Sequence, residues 1–112
     1  MAIKYKSKIK LKVELDENKI PEKIFWTAKD GNINNKETKA VLLSVWDSET
    51  KESLRIDLWT KDMPIDDMKI FFYQTLSAMT DTYERATQDQ EMTNTMKEFC
   101  NYFSEKLKLS NK

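Results

Sequence analysis

Near the start of the chain lysine takes every second place, at Lys4, Lys6, Lys8, Lys10 and Lys12. Ile3, Tyr5, Ser7, Ile9, Leu11, Val13 and Leu15 lie between and beyond them. Period-two alternation predicts a β-strand over about residues 3–15, with one wet face and one packed face. Turn chemistry at Asp16 to Asn18 ends it, and Pro21 blocks a central ladder position. Three further strand segments follow, at about 23–28, 40–47 and 53–60. The first holds the β-formers Ile24, Phe25, Trp26 and Thr27, the second reads AVLLSVWD, and the third contains the clean alternation SLRIDLW. Between them, residues 29–38 are polar, carrying Gly31 and three asparagines, and read as a flexible hairpin loop.

From Pro64 the period changes. Ile65, Met68, Phe72, Leu76, Met79, Tyr83 and Ala86 recur every three or four residues, predicting an amphipathic helix over about 64–87. Pro64 suits a first helical turn, and Asp66 and Asp67 favour the positive end of the helix dipole. Thr87 and Gln90 have capping-box spacing, which places a break there. A second helix over about 89–108 carries Met92, Met96, Phe99, Phe103 and Leu107 on one stripe, and the tail Ser110–Lys112 is expected to fray. Strands followed by helices predict an α+β fold. The expected architecture is a four-stranded antiparallel meander sheet with two C-terminal helices packed on one face, in a single domain over 1–112.

Charge and residue usage exclude more than they assign. Nineteen basic and nineteen acidic residues cancel, so no global field favours nucleic acid or an anionic membrane. No apolar run approaches the length of a membrane span, so no membrane insertion is expected. The N-terminus lacks an apolar signal region, and Cys100 is the single cysteine, so the expected location is cytoplasmic. With no histidine, one cysteine and one glycine, the usual nucleophilic triads, zinc cages and phosphate-cradling loops are unavailable. The expectation is no enzyme, no catalytic residue, no cofactor and no metal. Asp62, Asp66 and Asp67 offer oxygen ligands for a hard cation, but placement at a helix start explains them more simply. Met68, Met79, Met92 and Met96 fall on the helical stripes and read as core filling, as does Cys100. Asp81 and Arg85 have the spacing of a helix-surface ion pair.

The aromatic residues of the strands carry the binding hypothesis. If Val41, Leu43 and Val45 share the inward face with Leu54, Ile56 and Leu58, then Leu42, Trp46 and Trp59 lie on the other face, joined by Phe25. Large apolar groups on an otherwise polar sheet face mark an interface. The simpler alternative lays these rings along the alkyl stems of neighbouring Lys and Arg side chains. Trp46 and Trp59 are the main candidate anchors for a protein partner, with Leu42 and Phe25 beside them.

Several strings carry a family resemblance: VELDENKIPEKIFW, KAVLLSVWD, LRIDLWTKDMP, FFYQTL and DTYERAT. Over about residues 10–108 the chain resembles the GldC proteins of gliding bacteria. The resemblance implies a small, soluble, non-enzymatic accessory of gliding motility with no catalytic motif to carry over. Combined with the aromatic face, it predicts a binding module for a component of the motility machinery, with a homodimer through the sheet as a further option. The alternative is a cytoplasmic chaperone-like or metal-regulated factor for a secretion or motility machinery.

Overall fold

The computed structural model of the chain describes residues 2–109. In chain order it forms β1 (Ile9–Leu15), β2 (Pro21–Ala28), β3 (Ile33–Thr38), β4 (Ala40–Asp47), β5 (Glu52–Trp59), α1 (Ile65–Thr87) and α2 (Gln90–Lys106). The α+β class is as expected. The chain divides after Met63 into two compact units, with the strands in the first and the helices in the second. The tail Ser110–Lys112, expected to fray, lies outside the described residues.

In the first unit the strands form two antiparallel sheets, β1–β2–β3 and β4–β5, where a single four-stranded meander was expected. The residues read as a loop explain the difference. Lys29–Gly31 is one 3₁₀ turn, and Ile33–Thr38 is the strand β3. Only Lys39 separates β3 from β4. Two strands so joined cannot fold back on each other, so the chain runs on, pairing first with β2 and then with β5. The strand is hidden in the sequence because it is an edge strand whose side chains are exposed except at its two ends. Asn32 and Asn35 adopt the left-handed backbone that asparagine tolerates, at φ 57° and 49°. Asn35 N–H donates to Thr27 Oγ1 at 3.0 Å, where the β2–β3 register shifts.

β1 is shorter than the alternation predicts. Its ladder begins at Ile9 opposite Ala28, where β2 gives way to the 3₁₀ turn, so residues 3–8 have no strand to pair with. Within the ladder the alternation holds. Leu11 and Val13 lie opposite Trp26 and Ile24 and are partly buried, while Lys10 and Lys12 are exposed. Ile24, on the central strand β2, is fully buried. The turn from β1 to β2 is held by Asp16, whose Oδ1 accepts from Asn18 N–H and Ile20 N–H at 2.8 and 3.0 Å.

In the second unit both helices match expectation to within two residues. Their junction is capped differently from the predicted Thr87–Gln90 box. Gln88 closes α1 in the left-handed conformation, and Asp89 caps α2 by accepting from Met92 N–H at 3.0 Å. The helix–helix seam is built largely of small side chains. Thr80, Thr93, Cys100 and Ser104 are buried, and Thr80 Oγ1 lies 3.6 Å from Cys100 Sγ. Tyr73 stacks on Phe103 beside them, with ring centroids 6.4 Å apart. Met79 and Met92, expected as core filling, are half exposed, because this seam admits small residues in their place. Arg85 donates to Thr82 Oγ1 one turn back, at 3.3 Å, in place of the expected pair with Asp81.

Candidate protein-binding surface

The β4–β5 register fixes which side chains share a face. Val41, Leu43 and Val45 lie opposite Leu58, Ile56 and Leu54, forming one apolar face. Leu42 is opposite Asp57, Trp46 opposite Ser53 and Trp59 opposite Ala40, so these three candidates share the other face. They do not form one cluster. Trp46 and Trp59 sit at opposite ends of the ribbon, roughly 20 Å apart at the usual strand rise. Phe25 belongs to the other sheet, where the Lys12 ammonium lies 5.0 Å from its ring centre. That distance is within the range of a cation–ring contact.

Trp46 and Trp59 are 62% and 56% exposed, and Leu42 is exposed as well. The opposite face is also open: Leu43, Val45, Leu54 and Ile56 are each more than a third exposed. By its alternation alone that face is expected to be core. The missing information was strand number, since a two-stranded ribbon has no interior strand and buries little by itself.

Two of the strings that carry the resemblance turn out to be joints. Within LWTKDMP, Thr60 is buried, and its N–H donates to the Lys39 carbonyl at 2.8 Å, extending the β4–β5 ladder. Thr60 Oγ1 donates to Asp62 Oδ1 at 2.6 Å, and Lys39 Nζ donates to Asp62 Oδ2 at 2.8 Å. Hydrogen bonding to Lys39, then to Thr60, holds the Asp62 carboxyl down to about 2. Lys61 N–H donates to the Pro21 carbonyl at 3.2 Å, and Lys61 Nζ pairs with Asp16 at 2.9 Å and Glu22 at 3.5 Å. The Asp16 carboxyl is likewise lowered, first by the Ile20 N–H and then by Lys61. This polar clasp fastens the end of β5 to the start of β2. In DTYERAT, Tyr83 donates its hydroxyl to Asp89 Oδ2 at 2.9 Å and steadies the cap of α2. Among the described residues no three His, Cys, Asp or Glu side chains are grouped to hold a metal ion.

A shallow groove of about 650 Å³ runs along the helical unit, lined by residues including Phe71, Met79, Tyr83 and Met96. Its walls are mainly apolar, with no convergent set of charged groups.

Residues 21–109 match the model of the family described as gliding motility-associated protein GldC-like. The chain belongs to this family. The match takes in both strings and the whole β4–β5 ribbon, whereas the lysine-rich β1 and the clasp residue Asp16 precede it. No curated protein and no solved structure matches the chain significantly. Membership associates the protein with gliding motility. Among the described residues, no helix is long and apolar enough to cross a membrane.

Proposed function

We propose that this GldC-like protein is a non-enzymatic, cytoplasmic accessory of gliding motility that works by binding another protein. The observation that carries the reading is the β4–β5 ribbon, whose exposed Leu42, Trp46 and Trp59 share one face. Half-exposed tryptophans are what binding hot spots are made of: large, rigid and able to lose water over a wide area. The clasp that holds the ribbon uses polar and charged groups, so the apolar side chains remain available for contact. The partner is a component of the motility machinery with a complementary apolar patch.

The test is affinity capture from a gliding cell with the tagged full chain, compared with Trp46→Ser/Trp59→Ser. Circular dichroism establishes first that the variant is folded. Selective loss of one motility component, together with reduced gliding in the variant strain, is the expected result. Recovery of the same partners by both proteins would show that the tryptophans are structural and would end this reading.

A further inference from the structure

Among the described residues, β5 has β4 as its only strand partner. Its other edge is unpaired from Glu52 to Trp59, and its register runs without a bulge. The phase of the ladder says which groups that edge presents. Thr60 N–H donates to the Lys39 carbonyl directly opposite, so even-numbered residues of β5 turn their backbone groups toward β4. Ser53, Arg55, Asp57 and Trp59 therefore direct theirs outward. The edge carries no proline, no lysine and no bulge, three of the devices that blunt a free strand. Its charged residues at the centre are one Arg and one Asp, two positions apart.

We infer that β5 pairs antiparallel with β5 of a second copy, about a two-fold axis through Ile56. The ladder phase allows only registers that place odd-numbered residues opposite each other. Of these, the axis at Ile56 brings all four odd-numbered residues of β5 into the ladder, against three for an axis at Arg55 or Asp57, and sets Arg55 opposite the second copy's Asp57, and Asp57 opposite the second copy's Arg55. An axis at Arg55 or at Asp57 sets like charges face to face, which is unfavourable. The chosen register places the Ile56 residues in a close, non-hydrogen-bonded pair and Leu54 opposite the second copy's Leu58. The apolar face of β4–β5 then continues across four strands. On the other face the second copy's Trp59 falls opposite Ser53, in the same row as Trp46. Tryptophans at opposite ends of one ribbon are thus brought together between copies, with a small serine between them. This inference stands on the ladder phase and the two charges, and does not depend on the motility-partner reading.

The test is sedimentation velocity on the full chain at micromolar concentrations. Wild type is expected to be a dimer. Arg55→Asp and Asp57→Arg, each placing like charges opposite, should each weaken dimerisation by about tenfold. The double variant Arg55→Asp/Asp57→Arg restores opposite charges and should recover the wild-type dimer. Ile56→Cys gives a readout independent of charge. The Cα atoms of such a pair lie about 4.5 Å apart, within disulfide reach. Mild oxidation should link the two copies, while Leu54→Cys, whose mate is Leu58, should not link. Cys100 is buried and does not compete. A monomeric wild type, as expected if an extended segment of another protein occupies this edge, overturns the inference. So do a dimer indifferent to the single swaps, a double swap that fails to rescue, and linkage by Leu54→Cys in preference to Ile56→Cys.

Discussion

The three-stranded sheet and the two-stranded ribbon use apolar sequence in opposite ways. β1, β2 and β3 are rich in Lys, Glu and Asn, yet they contain Ile24, which is completely buried. β4 and β5 are far more apolar, yet Trp46, Val45, Leu54 and Trp59 are all more than half exposed. The difference lies in position. β2 has a neighbour on each edge, so its side chains are flanked on both sides. In the ribbon both strands are edges. The edges themselves are also treated differently. β1 carries lysines and a register shift at Glu14/Leu15, and β3 carries asparagines and a second shift, all of which discourage further pairing. The ribbon has a continuous register and no such protection. Hydrophobicity alone does not say what is core: it marks the first sheet's interior and, in the ribbon, an exposed surface.

The sharpest way to break this comparison is to truncate one isoleucine in each sheet. Ile24→Ala should cost about 3 kcal/mol, the usual consequence of a cavity at a fully buried position. Ile56→Ala, at a site 48% exposed, should cost less than about 1 kcal/mol in the monomer. Urea denaturation of the two variants measures both, and equal losses would mean that the ribbon is as much core as β2. Hydrogen exchange tests the same contrast without mutation. Amides of Arg55 and Asp57 should exchange fast in dilute protein and become protected as concentration rises, while those of β2 stay protected throughout. Concentration-independent exchange at Arg55 and Asp57 would remove the edge pairing from the picture.

A smaller effect is expected at Lys12, which covers Phe25 on the exposed face of the first sheet. Lys12→Ala should lower stability by about 0.5 kcal/mol through loss of the ring contact. A larger loss would place Phe25 nearer to the core. Acid should reveal the clasp that joins the sheets. Asp62 sits at about 2 in the folded chain against an ordinary 3.8, so its contribution is present above about pH 4 and is lost as pH falls toward 2. Asp16 acts in the same direction. Replacing Asp62→Asn should flatten the fall in melting temperature between pH 4 and 2, and an unchanged slope would show that the Lys39 contact is not maintained in solution.

Much of this was legible in the order of residues. The α+β class, both helices, the alternation of β1 and the sharing of one face by Leu42, Trp46 and Trp59 follow from periods of two and of about 3.6. Those periods are imposed by covalent geometry, so they survive any tertiary arrangement. The family strings were legible too, although their part in the fold was not. Thr60, Lys61 and Asp62 look like an ordinary polar turn until Lys39, Pro21 and Asp16 are brought beside them from elsewhere in the chain.

What only the tertiary structure decided is pairing. A polar segment such as Ile33–Thr38 becomes a strand because β2 offers it a ladder, whatever its own side chains prefer. That one pairing turns an expected four-stranded sheet into three strands and a ribbon, and moves Leu43, Val45, Leu54 and Ile56 from expected core to exposed surface. Sequence period determines which side chains share a face. Whether that face is covered depends on neighbours distant in the chain, and local periodicity carries no record of them.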